Sequence, residues 1–137
     1  MRTTQRKGDI ATTRAVYLFT ELGYDVSIPV TESAEYDLIV DDGNGLHRVQ
    51  VKSCSTGTLD LRKIHSNSTG YVVKTYTTGS YDWLYAFDTA NKVDYLSKKF
   101  CTQRYISLKK LELMDKPSVI EEAPIGVVSA LEKREVP

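Results

Sequence analysis

Residues 35–54, EYDLIVDDGNGLHRVQVKSC, decide how the rest of the chain is read. Two runs rich in apolar and β-branched residues, 35–41 and 46–54, flank Asp41-Asp42-Gly43-Asn44-Gly45, residue types that tolerate positive φ and close a tight turn. The reading is an antiparallel hairpin. With Gly43-Asn44 as a two-residue loop, cross-strand partners have positions adding to 87. Asp37 then stands opposite Gln50, with Cβ atoms roughly 5 Å apart. Along the second strand, Leu46, Arg48, Gln50 and Lys52 share one face, while His47, Val49, Val51 and Ser53 share the other. Arg, Gln and Lys at consecutive same-side positions do not make an ordinary apolar core, so that face is either solvent-exposed or lines a polar cleft.

Upstream, Ile10, Ala11, Ala15, Leu18, Phe19 and Leu22 recur at three- and four-residue spacing, which predicts an amphipathic helix over 7–22, stopped by Gly23. Residues 24–30 read as the strand that follows it. Downstream, 56–64 is expected to extend the sheet, and His65-Ser66-Asn67-Ser68-Thr69-Gly70 to form an exposed loop. Residues 71–81 fit either a strand start or a short helix. Residues 82–88 and 93–98 flank the turn-like Thr89-Ala90-Asn91-Lys92 as a second hairpin, and 105–109 gives one more strand. The tail from Met114 carries Pro117, Pro124 and Gly126 and one helical stretch at 127–133. This order predicts an α/β domain whose central mixed sheet packs on the N-terminal helix. At 137 residues it is one domain, 1–137, with 112–137 as a C-terminal extension.

Composition narrows the function classes. With 41% hydrophobic and 26% charged residues, the chain has the balance of an ordinary globular protein. Lys plus Arg and Asp plus Glu both count 18, so no global positive field marks a nucleic-acid partner and any such surface must be local. No stretch has the pattern of a signal peptide or a bilayer-spanning helix, and a cytoplasmic, intracellular location is expected. Cys54 and Cys101 form no CxxC and have no His at zinc-ligand spacing, so both are expected to be reduced and buried.

An Asp, an amide oxygen and a Lys on neighbouring strands match what phosphodiester hydrolysis requires. The attacking water must lose a proton and the leaving oxygen must be stabilised, and Mg²⁺ held by oxygen ligands supplies both. Asp37 is the expected metal ligand, joined by the neutral carbonyl oxygen of Gln50 and by the backbone carbonyl of Val51. Lys52 is placed to orient the water and counter charge at phosphorus. Each also has a plainer reading, Asp37 as a solvated carboxylate at a strand edge and Lys52 as a surface lysine. Asp41 and Asp42 read as turn residues. His47 points to the opposite strand face and His65 lies in a polar loop, so neither is expected to act in chemistry.

The string Tyr36-Asp37-Leu38-Ile39-Val40, then Arg48-Val49-Gln50-Val51-Lys52-Ser53, following Lys7-Gly8-Asp9-Ile10-Ala11 and Gly23-Tyr24-Asp25-Val26, resembles the PD-(D/E)XK nucleases. Within them it looks like the group I intron-encoded homing endonucleases, and it is similar, more distantly, to archaeal Holliday-junction resolvases. The resemblance implies a restriction-endonuclease-like core and a Mg²⁺-dependent DNA endonuclease, with Mn²⁺ as a substitute. Gln50 stands where the family motif has its second acid, as in the homing branch. Many relatives carry a Glu about four positions after the helix-opening Gly, where this chain has Thr12. Asp9, on nearly the same helical face, is the residue carried over as the supporting acid, and Glu35 is the alternative. Double-stranded DNA is the implied partner, met by phosphate contacts from Arg62 with Lys63, Lys98 with Lys99, or Lys109 with Lys110. A domain this small reaches a long site only as a second copy joins it, so a homodimer or homotetramer is expected. A junction resolvase, a restriction-type enzyme and a non-catalytic DNA-binding module on the same fold are the rival readings.

Overall fold

The computed structural model describes the backbone of residues 3–67, 70–75 and 79–114, and the side chains of these residues except 3 and 63–75. The expected helix at 127–133 lies outside the described residues. The chain opens with helix α1 (Thr3–Glu21) and strand β1 (Asp25–Ser27), followed by the hairpin of β2 (Leu38–Asp41) and β3 (Leu46–Cys54). The crossover then contains β4 (Thr58–Asp60), β5 (Arg62–Asn67) and β6 (Gly70–Thr75). A second hairpin, β7 (Trp83–Asp88) and β8 (Val93–Ser97), precedes β9 (Tyr105–Ser107) and a short 3-10 turn.

Strands β1-β2-β3-β7-β8 form one sheet in that order. Its pairings are antiparallel except for the central β3–β7 pair, which is parallel. The first hairpin has the expected register, with Leu38 opposite Val49 and Asp41 opposite Leu46. Asp41, the last residue of β2, accepts at Oδ1 from Gly43 N, and Asp42 Oδ1 accepts from Asn44 N and Gly45 N, so both side chains cap the turn. Gly43 takes the positive φ the turn needs.

One face of the sheet is covered by α1. Ala11, Ala15, Leu18 and Phe19 pack on Leu38, Val40, Val49, Trp83, Tyr85 and Phe87, and the two alanines let the helix lie close to the strands. The other face buries Leu84 and Ala86 against Leu59, Leu61, Tyr81, Cys101, Ile106 and Leu108. That second layer is the β4–β9 pair, in which Leu59 faces Ile106. Because both faces of β7 are covered, all six of its residues are buried.

Several boundaries differ from the sequence reading. Helix α1 starts at Thr3, so Gly8 and Asp9 lie inside it and its first turn holds no acid. Strand β1 is three residues long, and β2 begins at Leu38, leaving Glu35 and Asp37 ahead of the ladder. Residues 56–64 do not extend the main sheet: β4 pairs with β9, far along the chain, and β5 pairs with β6. His65, Ser66 and Asn67 are therefore strand residues, and 70–75 is a strand. Local composition misled here because Ser, Asn and Gly signal a loop, whereas hairpin pairing supplies the ladder that decides the outcome.

One polar contact ties the layers together. Asp94 on β8 has a side chain with no solvent exposure. Arg14 of α1 answers it with a forked pair, Nε to Oδ1 at 2.6 Å and Nη2 to Oδ2 at 2.8 Å. The Tyr85 hydroxyl donates to Oδ1 at 2.5 Å. Burial, with Asp94 beside it, pushes the Tyr85 hydroxyl far above its usual range, so it remains a donor at any working pH. Asp94→Asn keeps the volume and removes the charge. It is expected to cost about 2–4 kcal/mol in urea denaturation, toward the low end for a broken buried pair because Arg14 keeps roughly a third of its side chain in solvent.

Candidate active site

The site forms where β2 stops and β3 continues. Residues two apart on a strand aim their backbone groups to the same side, and the Val49 carbonyl accepts from Asp37 N on the β2 side at 2.9 Å. The N–H and carbonyl of Val51 therefore also face that side, past the end of the β2–β3 ladder. Asp37 fills the gap. Its Oδ2 accepts from Val51 N at 2.8 Å, replacing the missing ladder bond with a charge-assisted one.

Gln50 and Lys52 lie beside Leu84 and Ala86 in the parallel register, so both emerge on the sheet face turned away from α1. Gln50 is 7% exposed. Its Nε2 donates to Asp37 Oδ2 at 2.8 Å and, more weakly, lies 3.4 Å from the Val51 carbonyl. Thus Asp37 and the Val51 carbonyl converge on one point, occupied here by the amide nitrogen of Gln50. The amide oxygen points elsewhere and joins that point only after a half-turn of the amide.

Asp37 is held under competing influences. Burial raises its pKa, and this outweighs the Val51 N–H bond and the nearby Lys52 charge, both of which lower it. An ionised Asp37 is thus a desolvated anion that a cation would stabilise. Lys52 Nζ donates to the Arg62 carbonyl at 3.2 Å.

Around these groups runs an open cleft of about 460 Å³, lined by Gly8, Asp9, Ala11 and Thr12 of α1, Asp37, residues 50–53, Asp60 and Arg62. The structure therefore brings Asp9, Asp37, Gln50, Val51 and Lys52 to one cavity, while Glu35 is not part of its lining. Asp9 is exposed on the helix, and its carbonyl accepts from the Thr13 hydroxyl at 2.9 Å. Among the described residues, no three His, Cys, Asp or Glu side chains gather as a metal cage. Carboxylate density is low, and Asp37 is the acid at the convergence point.

Asp60 was missed by the sequence reading, and Arg62 was expected only as a phosphate contact. The Arg62 guanidinium beside Asp60, with bonds of 2.9 and 2.6 Å, holds that carboxyl down to about 2. The spacing Asp-x-Arg was the available signal, but nothing local says that such a pair borders a cleft. Of the other basic pairs, Lys98, Lys99 and Lys110 meet at a separate cavity lined also by Leu22 and Tyr24, away from Asp37. The Lys63 side chain lies outside the described residues. His47 stacks on Trp83 with ring centroids 4.2 Å apart, its Nε2 lying 3.1 Å from Asp42 Oδ2, on the face expected for it. Cys101 is buried and Cys54 half-buried, and both are free thiols.

No helix among the described residues is long and apolar enough to cross a membrane. No curated protein sequence is significantly similar to the chain. Among solved structures, the chain is similar to a bacterial homing endonuclease, I-Ssp6803I, with a TM-score of 0.65 and 23% identity, covering 98% of this chain and 100% of that one. At that identity the likeness shows a shared fold. The sequence profile of the PD-(D/E)XK endonucleases matches residues 2–119, most of the chain, and the α1, β2–β3 hairpin and Asp37-Gln50-x-Lys52 arrangement all lie within it. The chain belongs to the PD-(D/E)XK endonuclease family, and it is a nuclease of that family's fold.

Proposed function

We propose that the chain is a divalent-metal-dependent, site-specific DNA endonuclease of the homing type, acting through Asp37, Gln50, Val51 and Lys52, with Asp9 as the supporting acid. The observation that carries this reading is the convergence of the Asp37 carboxylate and the Val51 carbonyl on one point beside Lys52. The donor set fits the ion: all candidate ligands are hard oxygens, and Mg²⁺ commonly binds through one or two carboxylates while keeping several waters. Mn²⁺ suits the same oxygens. Asp37 and the Val51 carbonyl would hold the cation, and Gln50 would add its oxygen once its amide has turned. When bound, the cation acts as a Lewis acid on the phosphate and lowers the pKa of water.

The chain's own residues do the rest. Asp37, fixed by Val51 N, keeps its carboxylate aimed into the cleft without rotamer search. Lys52, held by the Arg62 carbonyl, presents its ammonium to the attacking water and to charge developing on phosphorus. Asp9, exposed on the helix that lines the cleft, would join Asp37 and Gln50 in holding the metal as the supporting acid. Specificity for an extended site would come from loops of two or four copies arranged symmetrically, since one domain of this size spans little of a duplex.

The test is cleavage of a randomised DNA library in Mg²⁺, with EDTA as control and a four-way junction as a second substrate. Discrete cuts in duplex, lost in EDTA, are expected. Junction-only cutting would reassign the chain to the resolvase type, and binding without cleavage in any metal would make it a non-catalytic module. Lys52→Ala is expected to slow single-turnover cleavage roughly 100-fold or more with the fold intact by circular dichroism.

Asp37→Asn separates stability from function. Because burial raises the Asp37 pKa, its charge opposes folding at neutral pH, where the carboxylate is ionised in the unfolded chain. In EDTA the variant should melt no lower than wild type. Millimolar Mg²⁺ should raise the melting temperature of wild type and leave that of Asp37→Asn unmoved, as mass action on a lost site requires. A variant that melts far below wild type in EDTA would refute this account of Asp37.

A further inference from the structure

The least expected contact in the cleft is the one that receives Lys52. Its ammonium bonds to a backbone carbonyl, that of Arg62, at 3.2 Å. Arg62 opens β5 opposite Thr75 of β6, and its carbonyl is a useful anchor only if the start of that strand is fixed. Residue 61 is the single step between β4 and β5, two strands that belong to different sheets.

Asp60 fixes that step. Its Oδ1 accepts from Arg62 N at 3.0 Å, closing a local turn, and its two oxygens take the Arg62 guanidinium as a fork. Asp60 is in turn anchored from outside the cleft. It ends β4 opposite Tyr105 of β9, and Leu61 N donates to the Arg104 carbonyl at 2.9 Å. The Arg62 guanidinium also lies over the Tyr105 ring, 5.2 Å from its centroid. Three hydrogen bonds are thus committed to a pair whose acid is 39% exposed, a setting in which an ion pair adds little to stability. What the arrangement does accomplish is to hold the N–H and side chain of the residue whose carbonyl receives Lys52.

We propose that Asp60 is a positioning residue for Lys52: by holding the backbone at Arg62 it fixes the carbonyl that receives the Lys52 ammonium. The second layer of the protein thereby reaches the reaction centre through a single turn. The functional half of this proposal rests on the nuclease reading of the cleft, whereas the structural half, that Asp60 orders the Lys52 ammonium, does not. Asp60 also lies near enough to Lys52 for their charges to interact, so a direct charge effect is the competing account. The two differ in what asparagine does. An asparagine side chain at this position keeps an oxygen that can accept from Arg62 N but carries no charge.

The experiment compares wild type, Asp60→Asn and Asp60→Ala. Solvent exchange of the Lys52 ammonium is followed by NMR on isotope-labelled lysine. Alongside it, single-turnover cleavage is measured on the duplex that wild type cuts, affinity for that duplex in EDTA, and thermal melting. Asp60→Ala is expected to speed Lys52 exchange severalfold and slow cleavage roughly 30-fold, within the range of roughly 10–100-fold usual for outer-shell partners of a reactive site. Asp60→Asn should lose roughly fivefold, and DNA affinity should stay within about twofold in both, since the effect lies in placement and not in binding. Equal losses in the two variants would assign the effect to charge and overturn the proposal. So would unchanged Lys52 exchange in Asp60→Ala, or a loss expressed in affinity. Should wild type cut no DNA, the nuclease reading fails, and the exchange measurement still decides whether Asp60 orders Lys52.

Discussion

A carboxylate with no access to water cannot be left alone, and Asp94 sets the arrangement of this protein for that reason. Its partners come from two other places, Arg14 on α1 and Tyr85 on β7. Apolar packing alone would let a helix slide or roll on a sheet at small cost, because leucine against valine has no direction. The Arg14 fork has one. The same guanidinium lies 4.7 Å from the centre of the Phe87 ring, which restricts it further. With α1 held at Arg14, the turns preceding it are fixed too, and Gly8, Asp9 and Thr12 become one wall of the cleft. The buried pair is thus valuable as a register device more than as a source of stability.

The opposite wall follows from a second constraint, the satisfaction of backbone groups. Strand β3 is nine residues long, and β2 pairs with only the first part of it. Ahead of Leu38 the chain lies outside the β2 ladder, and Val51 would face the cavity with unpaired groups. Asp37 supplies the acceptor for its N–H, and the carbonyl stays turned toward the cavity. The carbonyl left over by the unfinished sheet and the carboxylate that caps its N–H are both oxygen donors of the kind the proposed cation would take. Asp37 therefore completes the sheet and, in the proposed site, would also hold the cation.

How far this was legible in the sequence depends on how local each cause is. The β2–β3 register was legible because Asp41 and Asp42 cap their own turn and Gly43 takes its positive φ, all within five residues. Opposition of Asp37 and Gln50 follows by counting. Helix α1 was legible from Ala11, Ala15, Leu18 and Phe19, though its start was not, since its first turn carries no acid to mark it. Strand β4 was legible as extended chain within 56–64, but its partner was not: three residues carry no periodicity, and Ile106 arrives opposite Leu59 from far along the chain. Asp60 inherits that blindness. Its neighbours in space are Arg62, Lys52 and Tyr105, and of these only Arg62 is near in sequence.

On the proposed function, the charges of the cleft account for a glutamine standing where the family motif has an acid. Asp9, Asp37 and Asp60 face Lys52 and Arg62, and the Asp60–Arg62 fork removes one of each from the balance. What is left is the Asp37 carboxyl at the convergence point, an ammonium beside it and an exposed carboxyl on the helix. In the proposed reaction, a second acid at Gln50 would draw a cation more strongly but would also repel an entering phosphate. It would further add a second desolvated charge to a point where burial already works against Asp37. The amide avoids both costs. With its nitrogen turned toward Asp37 it caps the carboxylate, and with its oxygen turned there it would offer the proposed cation a neutral ligand.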